Sequence, residues 1–288
     1  MNIILIVLTV IFTGIRGIMS RELSGVTFGT KSFFKAQTIL FLSGCCILLI
    51  INPVSVYNIS HTTFLLSLIY AVFLTSAQWC YTFSLSKGNI GICSTIYSMG
   101  FIFPAISGYL FWDESLTVSE VTGILIAIIA IITSGKKSDT SQNVTTKNIF
   151  IIPLLLAMFS SGCLGILQKH HQSTVFSHQT SGFIITAFAF ASVFSAISMF
   201  VAKNSKPSLV AKKTFYASLT GIAFAASNVI NTYLSGRFDS AVIFPILNIG
   251  TIIFAYMSGI LLYKEKISKK DFTVMIMAVT SIFLISSK

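Results

Sequence analysis

The chain has 288 residues, 54% of them hydrophobic and 9% charged, with a mean hydropathy of +0.87. Soluble domains carry about 25% charged residues and disordered chains need low hydrophobicity, so both classes are excluded. A net charge of +11 would suggest nucleic acid in a soluble protein. In so apolar a chain it marks cytoplasmic loops instead, and no nucleic-acid partner is expected.

Apolar segments separated by polar, Gly, Pro or Asn breaks predict helices at about 2–20, 32–51, 63–84, 91–111, 117–134, 148–168, 179–202, 214–235, 240–262 and 271–286. Each is close to the ~20 residues that span a bilayer and about twice the length of a barrel strand. The expected fold is an all-α integral membrane protein of ten transmembrane helices. Arg16 and Arg21 follow the first apolar run, an order that fits a retained span and not a cleaved leader.

The first helix carries Arg16 between Gly14 and Gly17, and the second carries Lys35. Long basic side chains at such depths either snorkel to the interface or serve a binding site. Snorkelling is the reading for Lys35. Both readings stand for Arg16, because flanking glycines favour close helix packing over lipid contact. The third helix ends with Gln78, Trp79 and Tyr81, and the fourth holds Tyr97, Gly100, Pro104 and Gly108 before Glu114. The polar stretch 136–147 divides the chain into two halves, 1–135 and 148–288. Beyond it, the sixth helix closes on Lys169, His170 and His171, the eighth carries Asn228, Asn231 and Tyr233, and the ninth carries Asn248, Gly250 and Tyr256 before Glu265. Adjacent histidines point about 100° apart on a helix and make a poor metal pair. The five cysteines form no CxxC, so neither a metal nor any other cofactor is expected.

The halves repeat. At an offset of 150, Gln78 pairs with Asn228, Phe83 with Tyr233, Lys87 with Arg237, Asn89 with Asp239 and Gly100 with Gly250. At 151, Gly108 pairs with Gly259 and Glu114 with Glu265; at 148, the run from Gly14 to Met19 pairs with Gly162 to Leu167. Five helices per copy is odd, so the second copy enters from the opposite face and the repeats are inverted. Secondary transporters are commonly built this way, with the site at the repeat interface near the midplane. Fourteen Lys and Arg fall in the loops after the odd-numbered helices and three on the other side. Those loops are therefore read as cytoplasmic and both termini as extracytoplasmic.

The stretch from Tyr97 through Pro104 and Gly108 to Glu114, and its partner from Leu247 through Gly250 to Glu265, resemble the drug/metabolite transporter superfamily, in particular its EamA-type members. The resemblance covers nearly the whole chain. It implies a carrier of small metabolites, amino acids or amphipathic drugs in a bacterial plasma membrane, without covalent chemistry. Two features depart from the family pattern. Pro104 and Pro245 stand at unequal distances from Glu114 and Glu265, and the loop from Asn52 to Thr62 lacks basic residues.

All eight carboxylates fall in loops or at helix ends, which argues for facilitated transport or exchange over proton pumping. Ion pairing with Lys264, Lys266 or lipid headgroups is the plain reading of Glu114 and Glu265. The candidate substrate-binding residues are Gln78 and Asn228, expected to face each other across a cavity between helices 1, 3, 4 and 6, 8, 9. Tyr81 and Asn231 lie three residues further along the same faces, followed by Arg16, Trp79, Tyr97, Tyr233, Asn248 and Tyr256. Amides donate and accept, so they suit a zwitterionic or neutral polar ligand; interhelical hydrogen bonding is their alternative role. The expected function is a secondary transporter of a small polar or amphipathic metabolite such as an amino acid, working by alternating access. The other class is a non-transport membrane protein such as a lipid scramblase or signalling subunit. No nucleophile–base pair, HExxH or phosphate loop supports an enzyme or a nucleotide-driven pump. Membrane lipids and a small metabolite are the expected partners, and internal duplication makes a monomer sufficient.

Overall fold

A computed structural model of the protein describes residues 2–57, 59–114, 117–135, 151–202, 209–265 and 268–286. The expected linker 136–147 lies outside them, as do Lys203, Lys206, Lys266 and Lys288 of the basic count. Ten helices are described: α1 Asn2–Leu23, α2 Lys31–Ile51, α3 His61–Leu85, α4 Ile90–Phe111, α5 Val118–Gly135, α6 Ile151–Ser173, α7 Thr180–Val201, α8 Ala211–Ser235, α9 Ser240–Tyr263 and α10 Lys269–Ser286. No strand occurs among the described residues.

Seven of the ten, α1 to α4, α6, α7 and α9, are long and apolar enough to cross a membrane. The remaining three are dilute for physical reasons. Helix α8 spends positions on Lys212, Lys213 and buried Thr220, Ser227 and Asn228, and α10 opens on Lys269, Lys270 and Asp271. The apolar run of α5 is short, Val118–Ala130. The protein is a multi-pass membrane protein. Large apolar side chains such as Ile50, Ile152, Phe200 and Leu261 stand exposed on the outside, where a soluble protein would carry charge.

Local chemistry sets the helix ends. Thr30 and Ser60 cap α2 and α3 by accepting from the amides of Phe33 and Thr63. Thr117 with Glu120, and Ser268 with Asp271, form reciprocal capping boxes at α5 and α10. Helix α6 runs five residues past its expected end, because nothing in Lys169 to Ser173 breaks a helix. Helix α4 is broken by a 3-10 turn at Met99–Phe101. Pro104 explains it: its ring clashes with the carbonyl of residue 100 and it offers no N–H to that carbonyl.

Helix α1 packs on α8 and α3 on α6; α2 packs on α7, α4 on α9 and α5 on α10. The contact of α2 with α8 has a counterpart in that of α7 with α3. Small residues permit the closest approaches. A Cβ on Gly221 would run into the Leu40 carbonyl, and one on Gly44 would meet the Gly221 carbonyl at 2.7 Å. Buried apolar side chains gather in one cluster across α2, α3, α6, α7 and α8 and another across α4, α5, α8, α9 and α10. A polar cavity lies between them.

Candidate functional site

The cavity encloses about 90 Å³ of space open to water-sized molecules and is lined from α1, α3, α4, α6, α8 and α9. These are the six helices expected from the repeat. Its lining includes Arg16, Tyr81, Ser94, Tyr97, Ser98, Gln168, Ser227, Asn228, Asn231 and Asn248. Among the described lining residues Arg16 alone is charged, and none is Asp, Glu or His.

Arg16 does not snorkel. The small neighbours Gly14 and Gly17 admit the Phe254 ring and the Tyr81 hydroxyl against α1, and Arg16 is left 6% exposed. Its guanidinium donates from Nε and Nη2 to Gln78 Oε1 at 3.1 and 2.9 Å, and from Nη1 and Nη2 to the Tyr97 hydroxyl oxygen at 3.2 Å. It lies 3.7 Å from the centre of the Phe224 ring, with the Tyr97 and Tyr81 rings at 5.0 and 5.5 Å. The two ion pairs among the described residues lie elsewhere, so no described carboxylate balances this buried charge.

Gln78 and Asn228 do not face each other across open space. Gln78 is fully buried behind Arg16, where its Nε2 donates to Ser20 and Thr82. Asn228 reaches the cavity wall, but its Oδ1 accepts from Tyr70 at 2.5 Å and Gln168 at 3.2 Å, and its Nδ2 donates to the Phe224 carbonyl. The expected symmetry fails here because Arg16 has Leu164 as its counterpart in the repeat, so only Gln78 has a cation to hold. Tyr81 donates to or accepts from Ser94 at 2.7 Å and packs its ring 4.8 Å from that of Tyr97. Asn231, Asn248 and Tyr97 line the cavity as well. The Asn231 Oδ1 and Ser98 Oγ are buried without a hydrogen-bond partner among the described residues.

Trp79, Tyr233 and Tyr256 do not reach the cavity. Trp79 packs edge-on against Phe34 of α2. Tyr233 stacks under Arg237 at 4.0 Å beside a second, outer cleft, and Tyr256 donates to the Asp271 carbonyl. Aromatic residue type alone carried these expectations, and one helical face leads away from the centre. Gln168 and Tyr70 are the residues missed. Gln168 was hidden by the expected end of α6 at 168, and Tyr70 looks like any core tyrosine.

The two repeat-matched carboxylates make the same set of contacts. Glu114, just beyond α4, pairs with Lys169 at 2.7 Å and accepts from the Ser240 amide that begins α9 at 2.9 Å. Glu265, just beyond α9, pairs with Arg21 at 3.4 Å and accepts from the Ile90 amide that begins α4. In place of the expected Lys264, each carboxylate turns inward onto the orphan amides of the facing helix N-terminus, a favourable place for negative charge; the other expected lysine, Lys266, lies outside the described residues. Lys169 also donates to the Phe238 carbonyl, and Arg21 to the Gly88 carbonyl.

Comparison with known proteins finds a family likeness in the first half of the chain. Residues 1–135 match the EamA-like transporter family. An uncharacterized protein of Haemophilus influenzae is 24% identical over 187 residues, which cover 62% of this chain and 60% of that protein. A protein of known crystal structure superposes with a TM-score of 0.68 over 98% of this chain and 95% of its own, at 11% identity, a likeness of fold alone.

Proposed function

From its place in the drug/metabolite transporter superfamily, which the EamA-like match over residues 1–135 supports, we propose that the chain is a secondary transporter of a small polar or amphipathic metabolite. In this reading residues 1–135 and 148–288 are inverted five-helix repeats that rock about the central cavity. The cavity itself carries the proposal. It is polar and walled by three helices of each half. The matched contacts of Glu114 and Glu265 support alternating access: as gates, each would open by parting one carboxylate from one basic side chain and one helix start. The basic-residue bias supports extracytoplasmic termini in a bacterial plasma membrane.

Purified protein in liposomes, offered radiolabelled amino acids, organic acids, amines, sugars and sugar phosphates, tests this reading. Saturable flux of one class, absent from empty liposomes, is the expected result. Rapid flipping of labelled lipid without flux of any solute overturns it in favour of a scramblase.

A further inference from the structure

The guanidinium of Arg16 has five N–H groups. Four are directed at Gln78 Oε1 and the Tyr97 oxygen, which leaves one Nη1 N–H. The Tyr97 hydroxyl accepts twice and keeps its own hydrogen to donate. Two uncommitted donors therefore sit side by side on the wall of a cavity whose charge is unbalanced. A buried ion is costly without a counter-charge. Nearby, Ser98 Oγ and Asn231 Oδ1 are buried polar atoms with no partner among the described residues.

Resting on the carrier reading of this same cavity, we infer that the transported solute is a small organic monoanion. Its carboxylate is seated on Arg16 and Tyr97, and its remaining polar groups meet Ser98 and Asn231. One negative charge neutralises the cavity. Phosphate, carrying about two, would leave an excess charge buried. A zwitterion would leave Arg16's charge balanced by its carboxylate but bring an ammonium group to a cavity that offers only neutral acceptors. The free Nη1 N–H and the Tyr97 hydroxyl offer one donor to each of the two carboxylate oxygens, and the hydrogen bond from the guanidinium is charge-assisted.

Thermal unfolding of the detergent-purified protein would be followed with lactate, benzoate and hydroxybutyrate, with their uncharged amides, and with inorganic phosphate and alanine. The three monocarboxylates should include ligands that raise the melting temperature while the matching amides do not. Tyr97→Phe keeps the ring over Arg16 and removes the hydroxyl, so it should weaken that binding about ten- to hundredfold; two Arg16 N–H groups also lose their acceptor, so the ligand-induced shift is read against the variant's own lower unliganded melting temperature. Arg16→Lys keeps the charge without the planar fork and should weaken it further. Stabilisation by amides, alanine or phosphate equal to that by monocarboxylates overturns the inference, as does binding that Tyr97→Phe leaves unchanged. Liposome flux separates the two claims. Saturable flux of an amine, sugar or zwitterion, with none of a monoanion, keeps the carrier and rejects the monoanion, whereas lipid flipping without solute flux rejects the carrier.

Discussion

Gln78 illustrates how a buried amide earns its place by holding a charge. Its Oε1 takes two N–H groups of Arg16, and its Nε2 is satisfied by Ser20 and Thr82. Gln78→Ala removes the acceptor and leaves a buried cation short of partners, at a cost of about 1–3 kcal/mol. The melting temperature should drop, and transport should fall with it because Arg16 is no longer aimed. Trp79, the next residue, predicts the opposite. Its indole Nε1 is buried with no partner among the described residues, so the N–H contributes nothing to stability there. Trp79→Phe should shift stability by less than about 1 kcal/mol and leave flux unchanged. A large loss of flux in that variant would return Trp79 to the site. The sequence identified Gln78 and Asn228 as paired amides, but it could not say what each holds. That depends on Arg16 having an aliphatic counterpart, Leu164, in the second half, and on which helix presses a ring against the guanidinium.

At the scale of elements, the legible features were those that act locally. Polar breaks, capping residues and the proline of α4 are written in a few consecutive residues, so ten helices could be placed to within a few positions. The close approach of α2 to α8 was not legible, because Gly44 and Gly221 are far apart in sequence and neither stands in a recognisable turn. Gly221→Ala places a methyl into the Leu40 carbonyl, backbone that has little room to yield. It should destabilise by about 1–3 kcal/mol or more, read as a lower melting temperature without a change in ligand preference. The contacts of Glu114 and Glu265 were half legible. Their repeat spacing was visible, but their partners Lys169 and Arg21 come from other helices. Glu114→Gln removes one ion pair and weakens the charge-assisted bond to the Ser240 amide while Glu265 keeps its own partners. A cysteine replacing Ser227 on the cavity wall should then react faster with a membrane-impermeant thiol reagent added from the Glu114 side, with no gain from the Glu265 side. Equal reactivity from both sides would show that these carboxylates are structural and not gates.

At the scale of the whole molecule, the proposed carrier cycle is governed by the charge of its cavity. No described cavity residue is Asp, Glu or His, and Arg16 is the one charge in the wall. Arginine does not release its proton in proteins, so no described cavity residue offers a carboxylate or imidazole to ferry a proton between the two sides. Flux of a strong monocarboxylate should therefore vary little between about pH 6 and 8, where such a solute stays ionised. With the monoanion inferred above as solute, the loaded, closed cavity would be neutral, whereas the empty one would close around an uncompensated cation. Under that proposal closing empty should be the slower crossing, since burying an unpaired charge adds to the barrier. Liposomes preloaded with unlabelled monocarboxylate should accordingly take up labelled solute at least several-fold faster than liposomes loaded with buffer. Arg16→Gln, if it still binds solute, should narrow that ratio, because its empty cavity closes without a bare charge. Net uptake as fast as exchange in the wild-type protein would mean that Gln78, Tyr97 and the ring of Phe224 alone satisfy the cation, and that the solute is not required as its counter-ion.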